Sequence, residues 1–189
     1  MNRNEQAQTL IEMARKEIAS VHTAAPGKVL TYDPATGLAS VQPSLKFKVP
    51  DGRVLDMPVI VGVPVQFPSG AGGDASVTHP IMKGDGCLLV FAEGSLDDWI
   101  KGGETEDPRK HDLTDAIAIP GLFNFGIPAI VEHPNDVCLK NGSTLLRVEP
   151  SGNVHVEGAD LIVGGISFKN HVHGGVQSGS SNTSKPVGG

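Results

Sequence analysis

Aromatic residues, basic clusters and long apolar runs are scarce in this sequence, and each absence excludes a class of protein. The 189 residues include six Phe, one Tyr and one Trp, so a large aromatic core is not expected. The formal net charge is -6 and no basic stripe is present, which argues against a nucleic-acid-binding surface. The chain has no apolar run long enough for a membrane-spanning helix and no basic-then-apolar leader. We therefore expect a soluble protein that is assembled in the cytoplasm of the producing cell.

Motifs for common enzyme chemistries are also missing. Cys87 and Cys138 have no Cys-x-x-Cys partner, so we expect two reduced thiols with structural roles. The glycine loop at residues 69–74 lacks the pattern of a phosphate-binding loop. Asp97 and Asp98 are adjacent, and adjacent residues in a helix point in different directions, so they do not suit a catalytic acid pair. These absences favour a protein that is not an enzyme.

Residues 2–21 are the one segment with the period of an amphipathic helix. Apolar residues recur there at spacings of three and four, with charged residues mostly on the other side. The breakers Pro26-Gly27 end the pattern. The apolar stripe needs a partner: it packs on its own domain, joins copies of itself or docks into a neighbouring protein. The stripe consists of Ala7, Leu10, Ile11, Ala14, Ile18 and Val21.

From Gly27 to Gly121 the sequence has the two-residue period of β-strands. The chain contains 24 glycines and 14 prolines, which supply the many turns of an all-β fold. Five or so short antiparallel strands over about a hundred residues fit a small closed barrel such as the OB fold. We expect Trp99 to anchor a short helix that begins at Ser95. The predicted strands are residues 28–32, 39–42, 47–49, 58–67, 86–92 and 116–119.

After Gly121 the chain consists of short strands separated by Gly and Asn. Each strand carries two apolar residues at positions i and i+2, which face the same side. One copy would leave that side uncovered, so we expect it to intertwine with other copies. Three chains wound into a triangular β-helix would bury the pairs and leave Lys140, Arg147, His155 and Lys169 outside. The shrinking spacing between pairs predicts a tapering needle. The pairs are Val137/Leu139, Leu146/Val148, Val154/Val156, Leu161/Val163 and Ile166/Phe168.

The last pair in this series, His171 and His173, is polar. Both imidazoles can face one point, but even tetrahedral zinc needs four ligands. A three-fold axis through this point would supply six nitrogens, an octahedral set suited to Fe(II), although imidazole also suits Zn, Ni and Cu. The alternative is a solvated polar strand end, because short His-x-His sequences are common. Ile166 and Phe168 stand at even positions and the two histidines at odd positions, so in one continuous strand they would face opposite sides. Both pairs can face the same side only if the chain turns or bulges near Asn170.

One series of motifs resembles a known family. Residues 58–68 read Pro-Val-Ile-Val-Gly-Val-Pro-Val-Gln-Phe-Pro, and they are followed by a glycine loop, Thr-His-Pro-Ile at 78–81, Lys-Gly-Asp-Gly at 83–86 and Ser-Leu-Asp-Asp-Trp at 95–99. Over residues 28–119 this order resembles the N-terminal barrel domain of the central spike proteins of contractile-tailed bacteriophages, the membrane-piercing proteins of the baseplate. The polar tail after His173 resembles the end of the same spikes.

The resemblance implies a homotrimeric structural spike in the virion, at the tip of the tail baseplate, which pierces the host outer envelope mechanically. It implies one iron ion per trimer, held by His171 and His173 of three chains, and it names a baseplate or tail hub protein and the host outer membrane as partners. The implied order is an N-terminal helix at 1–26, an OB-fold barrel at 27–121, a triple-stranded β-helix at 122–170 and a metal-binding tip at 171–189.

Two alternatives stay open from the sequence. The chain also fits the spike of a phage-derived contractile injection system or a pyocin, which the residues do not distinguish from a phage spike. A metal-dependent hydrolase of the cell wall is a further alternative. Against it, the His pair lacks the downstream Asp-His that would hold a catalytic zinc with an open position.

Overall fold

The computed structural model describes residues 2–49, 51–124, 126, 131–172, 174–175 and 179. The chain divides into two compact units, unit 1 (residues 1–129) and unit 2 (residues 130–189). Strands make up 37% of the structure, and the one α-helix of the described residues lies at the N-terminus. The predicted mainly β class is therefore confirmed. No helix within these ranges is long and apolar enough to cross a membrane.

The N-terminal helix, α1, spans Arg3–Ser20, within the segment that periodicity predicts. Asn2 is its N-cap, and the Asn2 backbone N–H donates a hydrogen bond to Glu5 Oε2 at 2.8 Å, as in a capping box. Every residue of α1 is exposed, including the members of the apolar stripe. Within one chain the stripe therefore does not pack on its own domain, and this alternative from the sequence is wrong.

Unit 1 is built on a five-stranded antiparallel sheet with the order β5-β2-β1-β8-β9. Strand β1 begins at Ala24 rather than at residue 28, because Ala25, Gly27 and Val29 all point into the core. Pairs β3–β4 and β6–β7 form separate hairpins. The strands are β1 (Ala24–Asp33), β2 (Leu38–Pro43), β3 (Lys46–Lys48), β4 (Val54–Asp56), β5 (Ile60–Pro64), β6 (Ser69–Gly70), β7 (Ala75–Ser76), β8 (Gly86–Phe91) and β9 (Ala116–Pro120).

The large sheet curls until its outer strands approach each other. Just after β5, Val65 forms a parallel bridge with Ala118 of β9, and the Gln66 N–H donates to the Ala118 carbonyl at 2.9 Å. Alternate strand residues such as Val41 and Leu89 are buried in one core. Full burial of such a side chain stabilises the folded state by about 1.5–3 kcal/mol. Because these residues bury one another, unit 1 has a hydrophobic core of its own.

Arg109 fixes the long connection between β8 and β9. Its Nε lies 2.8 Å from Asp115 Oδ2, and its Nη2 lies 2.6 Å from Asp97 Oδ2. Asp115 is 1% exposed and also accepts the Leu96 N–H at 2.9 Å, so this buried charge is paired and hydrogen-bonded. The short 3₁₀ helix in the connection is Trp99–Lys101, and Trp99 itself is 60% exposed. The expectation that Trp99 anchors this segment is therefore wrong.

Unit 2 contains a three-stranded antiparallel sheet, in the order β10-β11-β12, and a separate hairpin, β13–β14. Tight turns connect the strands, and the glycines at these turns, such as Gly142 and Gly152, have positive φ, as turn glycines often do. The strands are β10 (Val137–Asn141), β11 (Thr144–Val148), β12 (Val154–Glu157), β13 (Ile162–Val163) and β14 (Ile166–Ser167).

Arg147 lies at the centre of the polar side of the β10–β12 sheet. Its guanidinium pairs with three carboxylates, those of Asp136, Glu149 and Glu157, at 2.9, 2.8 and 2.7 Å. His155 Nε2 lies 2.9 Å from Glu149 Oε1. The hydrogen bond from Arg147 is the main cause that lowers the pKa of Glu149 to about 2. This side of the sheet is therefore strongly charged.

The substitution Gly86→Ala is expected to destabilise unit 1. A Cβ on Gly86 would lie 2.0 Å from the carbonyl oxygen of Leu122, and the Leu122 N–H donates to the Gly86 carbonyl, so backbone would have to move. Overpacking of this kind costs about 1–3 kcal/mol. Urea unfolding followed by the fluorescence of Trp99, the single tryptophan, measures the loss.

Gly94→Ala is the matched control, because a Cβ at Gly94 meets no atom within 4 Å. This variant should keep the urea midpoint of the wild type. Equal urea midpoints for Gly86→Ala and Gly94→Ala would contradict the close contact between Gly86 and the Leu122 backbone.

Acid is expected to weaken unit 2 in a pH window set by Glu149. The pKa of Glu149 is lowered from 4.5 to about 2, so its pairing with Arg147 stabilises unit 2 above pH 4.5, and this contribution is lost as the pH falls towards about 2. Glu149→Gln should lower the stability at neutral pH and reduce its loss across this window. Urea titrations followed by circular dichroism at a series of pH values measure both effects.

Glu106→Gln is the control for this experiment, because Glu106 is an exposed carboxylate with no ion pair among the described residues. This variant should follow the pH dependence of the wild type. If Glu149→Gln also keeps the pH dependence of the wild type, the pairing of Glu149 with Arg147 does not stabilise unit 2.

Candidate functional site

One side of the β10–β12 sheet is apolar and exposed. The strand register places Leu139 opposite Leu146, and Leu146 opposite Val156, so the apolar pairs read from the sequence share one side. Val137, at the edge of this side, is 73% exposed. We call these six residues the apolar face: Val137, Leu139, Leu146, Val148, Val154 and Val156.

The apolar face needs a cover that the described part of unit 2 does not provide. Among the described residues of this unit, Leu145 is the one buried hydrophobic residue, and it lies on the other side of the sheet. A sheet of this size needs a packed hydrophobic face to be stable in water, and a contiguous exposed apolar patch marks a contact with another molecule. The apolar face of unit 2 is therefore a candidate contact surface.

A polar clamp holds the turn that leads towards the first histidine of the pair. Asp160 accepts hydrogen bonds from the Ser167 hydroxyl and from the Lys169 N–H, the latter at 3.1 Å. The Lys169 ammonium donates to the Gly158 carbonyl at 2.8 Å. The hydroxyl of Ser167 is the main cause that lowers the pKa of Asp160. The sequence alone does not predict this clamp, because Asp160 lies in a Gly-Ala-Asp segment that indicates only a turn.

His171 lies directly after the turn at residues 168–170, where the parity of the sequence predicts one. Its Nδ1 lies 3.1 Å from the Ser167 carbonyl oxygen and 3.0 Å from that of Phe168. Carbonyl oxygens only accept hydrogen bonds, so Nδ1 carries a proton. In the neutral ring the lone pair is therefore on Nε2.

This tautomer of His171 fits the role of a metal ligand. Histidines that bind metal through one ring nitrogen commonly donate the other N–H to a carbonyl or a carboxylate. His173 lies outside the described residues. Within the described ranges, His, Cys, Asp and Glu side chains form no group of three or more that could hold a metal ion. A complete ligand set would therefore have to draw on His173, on other chains or on both.

Most of the remaining histidines have local contacts in the fold. The His22 ring lies 5.3 Å from the Phe91 ring, and the His79 ring lies 5.2 Å from the Phe67 ring. His155 takes part in the Arg147 network. Such contacts fit the structural roles expected for single, scattered histidines.

Two segments of the chain match known protein families. Residues 25–121, slightly more than half of the chain, match the family described as the phage protein Gp138 N-terminal domain. Residues 165–187, which include both His171 and His173, match the GpV apex motif. A comparison with curated proteins finds no match.

Both matched families are characteristic of the central spike proteins of phage baseplates, so the resemblance read from the sequence is confirmed. The Gp138 match covers the curled sheet of unit 1, and the apex match begins at the β13–β14 hairpin that precedes His171. The chain belongs to the Gp138 family of phage baseplate central spike proteins.

Proposed function

We propose that this baseplate spike protein is one subunit of a homotrimer that pierces the host outer envelope mechanically when the tail sheath contracts. The observation that carries the proposal is the apolar face of unit 2, which the described residues of this unit leave uncovered, in a chain whose residues 165–187 match the apex motif. The spike sits at the tip of the virion tail, and its partners are a baseplate or tail hub protein and the host outer membrane. The function is structural and requires no catalytic group.

The topology of unit 1 supports an OB-fold barrel at the base of the spike, over residues 27–121. An OB barrel has five strands in a partly open Greek-key arrangement. The order β5-β2-β1-β8-β9 supplies the five strands, and the parallel bridge from Val65 to Ala118 joins the first and last members of that order. The bridge brings the two edge strands of the sheet together, which suits a base that must withstand force.

Three copies of unit 2 would form the shaft, a triple-stranded β-helix over residues 122–170. The apolar faces of three chains would meet on the axis and exclude water, at about 25 cal/mol for each square ångström of apolar surface buried. The charged side, with Arg147 at its centre, would face the solvent. Stiffness follows from this arrangement, because unfolding one chain would uncover the apolar faces of two others.

The tip, residues 171–189, would hold one metal ion on the axis. His171 has the tautomer that leaves Nε2 as the ligand atom, and the apex motif that it belongs to is known for metal binding. His171 and His173 of three chains would give six imidazole nitrogens, which suit Fe, with Zn or Ni as alternatives. The bound ion would supply a fixed cross-link between the chain ends, where disorder otherwise concentrates. The Asp160 clamp holds the turn before His171 in place.

The substitution Leu139→Asp is expected to dissociate the trimer. Leu139 is exposed in one chain, so an aspartate there breaks no packing within that chain, whereas in the trimer it would place an unpaired carboxylate in the apolar interior. An unpaired buried charge costs several kcal/mol. Sedimentation equilibrium of the full chain measures the change in mass.

Lys140→Asp is the matched control, because Lys140 is the next residue of β10 and lies on the polar side. It loses an exposed pair with Glu132, and exposed pairs contribute about 0–1 kcal/mol, so the trimer should persist. A trimeric Leu139→Asp protein, or dissociation of both variants alike, would contradict the role given to the apolar face.

Replacing His171 and His173 with alanine together is expected to abolish stoichiometric metal and to loosen the end of the shaft. Elemental analysis of the purified wild-type trimer should find one ion per three chains. The double variant should remain a trimer with a folded unit 1, because the apolar face does not depend on the ion. Finding no metal in the wild type, or equal metal in both proteins, would remove the metal from this account.

A further inference from the structure

Two backbone carbonyls at the end of β14 determine how the His171 ring is oriented. The Nδ1 of His171 lies 3.1 Å from the Ser167 carbonyl oxygen and 3.0 Å from the Phe168 carbonyl oxygen. Both oxygens accept, so Nδ1 donates its proton to them. The ring keeps this orientation and this tautomer only as long as both carbonyls stay in place, so the residues that hold the carbonyls control the His171 ring.

The peptide unit between Phe168 and Lys169 is oriented by Asp160. This peptide is trans, and in a planar trans peptide the N–H and the carbonyl point in opposite directions. Asp160 Oδ1 accepts the Lys169 N–H at 3.1 Å. The Phe168 carbonyl of the same peptide unit therefore points away from Asp160 and towards His171 Nδ1.

The peptide unit between Ser167 and Phe168 is oriented in the same way by Leu161. The Phe168 N–H donates to the Leu161 carbonyl at 2.9 Å, so the Ser167 carbonyl points in the opposite direction. That carbonyl accepts both the backbone N–H and the Nδ1–H of His171, each at 3.1 Å. Asp160 and Leu161 thus each hold one of the two peptide units whose carbonyls bind the ring.

The Asp160 carboxylate is itself held in place. Its Oδ2 accepts a hydrogen bond from the Ser167 hydroxyl, and the hydroxyl oxygen accepts the Asn170 N–H at 2.9 Å. The carboxylate therefore controls the N–H groups of Lys169 and Asn170, the first directly and the second through Ser167. Asp160 and Ser167 are half-buried, and a hydrogen bond is electrostatically stronger where water is partly excluded.

We propose that Asp160 is a positioning residue for the metal-binding tip, because it orients the Phe168 carbonyl and thereby keeps the proton of His171 on Nδ1. The Nε2 lone pair is then available to a metal before the metal binds. The proposal rests on the metal-binding tip of the proposed function and adds the residue that fixes the ligand. Asp160 acts through the backbone of residues 168–169 and not as a ligand.

The substitution Asp160→Ala tests the effect on the ring. It removes the acceptor of the Lys169 N–H and leaves the Phe168–Lys169 peptide able to rotate. In the full-length protein, freed of metal with a chelator, ¹⁵N NMR of labelled histidines distinguishes a protonated ring nitrogen from an unprotonated one. At about pH 8, above the pKa of about 6.5 of a free imidazole, wild-type His171 should carry its proton on Nδ1, whereas Asp160→Ala should populate both tautomers. His171→Ala identifies the signal.

The affinity for Fe²⁺ tests the effect on the metal. Fe²⁺ alone is added anaerobically to the metal-free full-length protein in competition with a coloured chelator. The dissociation constant should rise about 10- to 100-fold in Asp160→Ala, as is typical when an outer partner of a ligating histidine is lost. Asp160→Asn should stay close to the wild-type value, because the amide oxygen still accepts the Lys169 N–H although the charge is gone.

Glu132→Ala is the matched control. It removes another carboxylate of unit 2, one that pairs with Lys140 and makes no described contact with residues 158–171. The Fe²⁺ affinity and the His171 tautomer of this variant should equal those of the wild type. The mass of every variant should stay trimeric, since the apolar face is intact.

The outcomes separate this inference from the proposed tip. A wild type that takes up no Fe²⁺ overturns the iron site and this inference together. A wild type that binds Fe²⁺ overturns this inference alone if Asp160→Ala has the same dissociation constant or keeps the Nδ1 tautomer. Equal losses of affinity in Asp160→Asn and Asp160→Ala also overturn it, because the charge of Asp160 would then act in place of its hold on the peptide.

Discussion

An apolar strand face that the described residues of unit 2 leave uncovered is the constraint on which the proposed organisation of this spike protein depends. In unit 1 the strands turn their apolar residues to the inside of a curled sheet, and residues such as Val41 and Leu89 bury each other. In unit 2 the same two-residue period produces a sheet of three short strands, and its apolar face stays exposed in the described chain. The first unit can fold around its own core, whereas the described part of the second leaves its apolar face without a cover, and the proposed trimer would supply that cover.

Charges on the other side of the β10–β12 sheet restrict the pairing register of its strands. A slip of one residue in the pairing of a strand would turn Arg147 to the apolar side, where it would lose most of its three carboxylate partners. The network therefore favours the register in which the apolar residues share one side of the sheet. The Asp160 clamp acts in a similar way further along, because it fixes the turn from which His171 leaves the hairpin. The Arg147 network and the Asp160 clamp therefore specify a strand register and a turn that hydrophobic burial alone would not determine.

Periodicity in the sequence predicts α1, most strands of unit 1 and the shared side of the apolar pairs, because each depends on neighbours only a few residues away. The early start of β1 at Ala24 was not predictable, since Ala, Pro and Gly are weak strand formers and only pairing with β8 makes this segment extended. The exposure of Trp99 and the clamp at Arg109 depend on contacts such as that between Leu96 and Asp115, which are 19 residues apart. The sequence predicts His171 as a candidate metal ligand, whereas its tautomer follows from hydrogen bonds at a turn that only the structure shows.

The molar mass of the full chain in solution is the measurement that tests the central claim most directly, because every role given to unit 2 requires three copies. Light scattering on the purified protein over a range of dilutions measures this mass without any substitution. The account predicts a mass three times the 19.7 kDa of one chain that persists on dilution. A mass of 19.7 kDa at every concentration, with unit 2 folded, would contradict it.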